Sequence, residues 1–143
     1  MSISRITANL AWISILTFGT GSFVQRPTTH AKRTIVVRML GDASGFRFRP
    51  ASVTAHVGDV VRFVSVSGAP HNVSFSEDGI PAGAAATLQA NMERTTGELS
   101  GAMLTEPKET YTVSLAGLPP GTYRYYCAPH LAMKMVGRIT VRP

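Results

Sequence analysis

Cys127 is the only cysteine in this 143-residue chain. It opens the run Cys127-Ala128-Pro129-His130-Leu131-Ala132-Met133-Lys134-Met135. One thiol, one imidazole and two thioethers therefore fall within nine residues. Far upstream, Pro70-His71-Asn72-Val73 adds a second imidazole. One thiolate, two imidazoles and a weak thioether make up the donor set of a blue-copper electron-transfer centre. Thiolate and thioether favour Cu(I), and imidazole suits both oxidation states. The spacing thus predicts one bound copper, with His71, Cys127 and His130 as donors and either Met133 or Met135 as the thioether.

Other readings of these residues are weaker. A lone cysteine could be a buried inert thiol or form an intermolecular bridge, but metal ligation both uses the thiolate and protects it from oxidation. His56 stands in a strand pattern next to the Gly58-Asp59 turn and reads as structural. Met39, Met92 and Met103 read as ordinary apolar residues, and Tyr123 and Tyr125 as core. Catalysis at copper needs an open position or a second metal, and only His30 and His56 remain as spare imidazoles. An enzyme is not expected.

Such donors need a rigid frame, and the composition supplies strands. Aliphatic residues are largely Val and Ile, with 13 Gly and 9 Pro for turns. Strand patterns run over 34–40, 46–50, 52–57, 60–66, 72–75, 110–115, 122–126 and 136–141. Residues 84–92 could carry a short helix, and the rest of 76–108 reads as loop. Seven to eight short strands with turn signals between them predict an all-β, antiparallel Greek-key sandwich. Three donors then lie on one loop between two strands, with Pro129 stiffening the Cys-to-His turn. His71 must come from a separate strand. Period two puts Tyr123, Tyr125 and Cys127 on one face, so Tyr126 points outward beside the thiolate.

The first thirty residues differ from the rest. Arg5 precedes the apolar stretch Leu10 to Phe18, which is too short to span a bilayer and fits the core of an export signal. Small residues follow at Gly19 to Ser22, and Thr29-His30-Ala31 offers a second cleavage context. Residues 1–31 are read as an export segment, an uncleaved anchor being the alternative. Residues 32–143 are read as the copper-binding domain, placed in the periplasm or otherwise outside the cytoplasm. The net charge is +6, and setting aside Arg5 and Arg26 leaves 12 basic residues against 8 acidic. The arginines are scattered and form no run, which argues against nucleic-acid binding and favours an acidic partner.

Several stretches resemble plastocyanin-like small cupredoxins. They include Phe48-x-Pro50, Val57-Gly58-Asp59, Pro70-His71-Asn72-Val73, and Glu77-Asp78 with Ile80-Pro81-Ala82-Gly83. Gly121-Thr122-Tyr123, Tyr126-Cys127-x-Pro129-His130 and Met135-Val136-Gly137 continue the pattern, which covers about residues 34–142. The resemblance implies one type 1 copper with His71, Cys127 and His130 roughly in a plane and Met135 axial. It implies that Asn72 fixes the ligand loops, and that electrons leave by the exposed edge of His130 between Ala69, Pro70, Leu131 and Ala132. Two features depart from the family. Arg124 neighbours Tyr126 where the family has an acidic patch, and Leu131 to Lys134 replaces a small, Gly-containing loop.

The expected function is one-electron carriage between exported or membrane-bound redox partners. The protein is expected to be a monomer, with a redox partner that docks through an acidic surface. Periplasmic copper storage or delivery is the alternative.

Overall fold

The computed structural model describes residues 31–143, so the expected export segment, but for Ala31, lies outside it together with Trp12 and His30. Ten strands and one α-helix follow in chain order. The strands are β1 (Thr34–Asp42), β2 (Gly45–Arg49), β3 (Ser52–His56), β4 (Val60–Ser65) and β5 (Ser74–Phe75), then α1 (Ala85–Asn91). After the helix come β6 (Thr95–Gly97), β7 (Ser100–Gly101), β8 (Thr110–Ser114), β9 (Gly121–Tyr126) and β10 (Val136–Arg142). One sheet has the order β2-β1-β4-β8 and the other β3-β10-β9-β5-β7-β6.

The expected sandwich is present, with two differences. The β1–β4 and β3–β10 pairings are parallel, while the remaining sheet pairings are antiparallel. Parallel neighbours need long crossovers, and the sandwich provides them by sending the chain from one sheet to the other between the partners. Two further strands, β6 and β7, lie inside the predicted loop. They have three and two residues, too few to show a period.

Alternation decides which side chains enter the core. In β1, Val37 and Met39 are buried between exposed Val36 and Arg38. In β9, Tyr123 and Tyr125 point in while Thr122 and Arg124 point out. The centre is aromatic: Tyr125 meets Phe48 edge to face at 4.7 Å and Phe63 at 5.1 Å, arrangements that suit ring quadrupoles. Gly137 stands against the Tyr125 ring, where a Cβ would come within 2.4 Å of it. Tyr123 donates to the Pro119 carbonyl at 2.7 Å, so its hydroxyl is satisfied while its ring fills the core.

The strand ends place the predicted donors together. Cys127 follows β9 directly, Met135 precedes β10, and His71 lies between β4 and β5. The backbone of Cys127 donates to Met135 at 3.0 Å, which closes the base of the loop between β9 and β10. Packing of two sheets thus fixes all four positions at one end of the sandwich.

Candidate metal centre

His71 is held from both sides. Its backbone exchanges two hydrogen bonds with Leu104, at 2.9 and 2.7 Å. Its ring Nε2–H donates to the Ser67 carbonyl at 2.8 Å. Because a carbonyl can only accept, that bond places the ring proton on Nε2 and leaves the Nδ1 lone pair free. An outer hydrogen bond that fixes the tautomer in this way is the usual companion of a metal-ligating histidine. The free Nδ1 faces the Cys127 Sγ at 3.7 Å.

His130 approaches from the opposite side. Cys127 leads into a 3₁₀ turn over Ala128–Met133, with Pro129 in its first turn. Pro tolerates this place because its missing N–H would be unpaired there anyway. The turn returns the His130 N–H to the Cys127 carbonyl at 3.1 Å and brings His130 Nδ1 to 3.4 Å from Cys127 Sγ. The donor atoms of His71, Cys127 and His130 all lie within 4.8 Å of one another. Cys127 and His71 are fully buried, and His130 is only 6% exposed. Three such donors aimed at one point in the interior suit a shared ion, and a thiolate with two imidazoles is the chemistry of copper.

The two methionines separate cleanly. Met135 is fully buried beside the cluster, and its N–H donates to the His130 carbonyl at 3.2 Å. Met133 is 48% exposed. A thioether ligand must sit in the shielded interior, so burial favours Met135, as the family resemblance implied.

Asn72 joins the two ligand segments. Its backbone N–H points at Cys127 Sγ at 3.4 Å. Its side-chain Oδ1 accepts from the Ala128 N–H at 2.7 Å. Its Nδ2 donates to Ser74 Oγ at 3.0 Å and to the Gly101 carbonyl at 3.3 Å. This one side chain therefore ties the His71 segment to the Cys127 loop and to β7. The expected positioning role of Asn72 has a direct physical form.

Electrostatics in the site follow from burial. Burial pushes the Cys127 thiol up, while hydrogen bonds from the Asn72 and His130 backbone work in the other direction. Burial, with His71 nearby, lowers His130. A lowered imidazole pKa favours the neutral form that can bind a metal.

Phe46 is the residue that sequence reasoning missed. The strand pattern over 46–50 puts Phe46 and Phe48 on one face and marks neither as a site residue. In the structure its ring stacks on His130 with centroids 3.7 Å apart and planes at 15°. It also meets His71 edge-on at 6.4 Å. The start of β2 is fixed by the Asp42–Arg47 ion pair at 2.7 Å, which closes the β1–β2 hairpin. No local pattern marks Phe46, because its partners lie far along the chain. Its only signal is its place just after the Ala43–Ser44 turn.

Comparison with known proteins agrees with this geometry. A family model described as copper binding proteins, plastocyanin/azurin family, matches residues 35–142. A plastocyanin from Rumex obtusifolius is 37% identical over 108 residues, covering 76% of this chain and 100% of that protein. A plastocyanin from a Synechococcus strain is 38% identical over 120 residues, covering 84% of this chain and 80% of its own length. The solved structure of oxidised plastocyanin from Dryopteris crassirhizoma superposes with a TM-score of 0.57 at 33% identity. That match covers 76% of this chain and all of the fern chain.

Proposed function

This chain belongs to the plastocyanin/azurin family of copper-binding proteins and is a type 1 copper electron carrier, not an enzyme; from that premise we propose that His71, Cys127, His130 and Met135 hold its single copper. The observation that carries this assignment is the convergence of His71 Nδ1 and His130 Nδ1 on the buried Cys127 Sγ. When bound, the copper supplies one-electron chemistry by cycling between Cu(I) and Cu(II).

The chain's own residues supply rigidity and access. Ser67 holds His71 in the tautomer with a free Nδ1. Asn72 locks the Cys127 loop against the His71 segment. Donors fixed by the sandwich move little between oxidation states, which keeps reorganisation small. Access is by the edge of His130, the least buried of the three donors. Around it Pro70, Leu131 and Ala132 are exposed and Ala69 is half-buried, an apolar rim against which a partner can dock.

Family relatives pass electrons between redox partners, and none of the matched proteins supports a storage role. For this chain the partner is read as acidic, since basic residues outnumber acidic ones and Lys134 stands in the ligand loop. Residues 1–31 are read as an export segment and 32–143 as the copper domain. On that reading the carrier works outside the cytoplasm. Relatives from Pisum sativum and Chlamydomonas reinhardtii are named chloroplastic plastocyanins.

The direct test adds Cu(II) to purified protein and records its visible spectrum. A thiolate bound to Cu(II) gives an intense charge-transfer band, and Cys127→Ser abolishes it. A colourless protein that takes up only zinc would overturn the assignment.

A further inference from the structure

The outer face of the second sheet carries a pair of opposed like charges beside an open cleft. In the antiparallel β9–β10 pair, Arg124 and Arg138 stand directly opposite each other, and both are exposed. Like charges in that relation repel. Neither guanidinium makes an ion pair or a side-chain hydrogen bond among the described residues, whereas Arg47 is paired with Asp42 and Arg33 with Asp59. The two arginines line an open cleft of about 260 Å³ with Ala51, Ser52, Val136 and Gly137. Val136 is 50% exposed at its rim and opposes Tyr126 in the same pair.

The cleft lies on the two strands that lead to and from the ligand loop. Arg124 lies three residues before Cys127 on the strand that delivers the thiol, and Arg138 lies three residues after Met135. At about 3.4 Å per residue, each is roughly 10 Å along an extended backbone from a proposed ligand. A carboxylate in the cleft would meet two guanidinium forks, and it would remove the repulsion between them. Guanidinium recognises carboxylate through paired, charge-assisted hydrogen bonds. Val136 adds apolar surface at one side of such a contact.

We propose that Arg124 and Arg138 form a carboxylate-binding cleft that seats an acidic segment of the redox partner, beside the apolar rim of His130. The proposal rests on the reading that the partner is acidic, and it adds where the acid binds. Partner docking would then have two parts. The His130 edge provides the electron contact, and the arginine cleft fixes orientation.

The first discriminating control is built into the fold. Arg38 and Arg49 form a second directly opposed, exposed pair on the other sheet. Removing either pair takes away the same charge. The copper-loaded, reduced protein is titrated with a tetraglutamate peptide and followed by amide and arginine side-chain NMR shifts, with sodium acetate as a small-anion control. Shifts are expected at Ser52, Arg124, Gly137 and Arg138. Arg124→Gln with Arg138→Gln should weaken peptide binding about tenfold, and Arg38→Gln with Arg49→Gln by twofold at most. Unchanged thermal melts and an unchanged visible band in the oxidised form establish that each variant is folded. Equal losses from both pairs would mean that net charge alone acts, and would overturn the cleft. Equal binding of acetate and peptide would reduce it to a site for small anions and overturn it as a docking site. Binding to phosphatidylglycerol vesicles without binding to peptide would assign the face to a membrane and also overturn it. If peptide binding moves only residues near Lys134 and His130, the acidic-partner reading stands and the cleft proposal fails. If no acidic peptide binds anywhere, both fail.

Discussion

The Phe46 ring lies nearly parallel to the His130 imidazole, with ring centres 3.7 Å apart. This contact covers the most accessible donor of the site with a side chain from the opposite sheet. It also limits rotation of the imidazole. Phe46→Ala should leave the visible band in place and destabilise the protein by about 1–2 kcal/mol, the worth of an aromatic pair plus part of its buried area. Phe46→Leu restores apolar cover without stacking and should recover about half of that loss. Thermal melts of both variants check the claim, and identical melts for Ala and Leu would show that stacking contributes nothing.

The second prediction concerns the thioether. Met135→Leu should leave copper bound but raise the reduction potential, since removing a weak donor to Cu(II) favours Cu(I). Met133→Leu, at an exposed position, should leave the potential unchanged. Protein-film voltammetry on the two variants reads this directly. The reverse pattern would transfer the axial role to Met133.

Asn72→Ala is expected to cost about 1–3 kcal/mol, because the buried Ser74 hydroxyl loses its Asn72 donor and the Gly101 carbonyl keeps only the long 3.4 Å contact from Thr96. It also frees the Ala128 N–H at the start of the ligand loop. The same variant should broaden the copper EPR signal as the loop samples more positions. Asn72→Asp keeps the acceptor for Ala128 but turns an oxygen toward Gly101, so it should be no better than Ala. Urea titrations rank the three proteins.

These sites show what the sequence could and could not reveal. The Cys127–His130–Met135 spacing stands out in the sequence because one loop carries it, and local spacing survives folding. The burial of Tyr123 and Tyr125 was legible from period two alone. The predicted helix over 84–92 appears as Ala85–Asn91, held by Leu88 in the core. Phe46 was not legible as a site residue. Phe46 and Phe48 look alike in the strand pattern, yet one caps an imidazole and the other packs in the core. The parallel pairing of β1 with β4 was equally hidden, since alternation fixes which face is buried and says nothing of strand direction.

Lys134 adopts a left-handed backbone with φ 61° where the ligand loop turns into Met135. A side chain there costs about 1 kcal/mol, and glycine avoids most of it. Lys134→Gly should therefore raise stability, read from the denaturant midpoint, by about 0.5 kcal/mol at most, once the entropy of an added glycine, about 0.4–1 kcal/mol, is counted. Lys134→Glu keeps the strain and should leave the midpoint almost unchanged. It should instead slow association with an acidic partner at low salt. An association rate that ignores ionic strength would show that the charge is incidental.

Asp42 closes the hairpin that carries Phe46. A hydrogen bond from Arg47, helped by the Ser44 N–H, holds its carboxyl down to about 2. A carboxylate depressed by folding contributes stability above its ordinary pKa and loses it as pH falls through the depressed value. The hairpin's contribution should thus be complete near pH 5 and vanish toward pH 2. Carboxyl chemical shifts of Asp42 should titrate near that lower value. Asp42→Asn should flatten this part of the acid limb.

The place of β10 has a consequence for the order of events in the life of the chain. It lies between β3 and β9, although it is the last strand of the described fold. While a chain is still being synthesised or threaded through a membrane pore, the first sheet can assemble, but the second stays in two pieces. Met135 enters its buried position only when β10 docks behind it. Pairings between distant segments form late and slowly. Metal capture by the proposed donor set would then follow release of the whole domain. A chain passed outward unfolded would acquire its copper at its destination rather than carry it there.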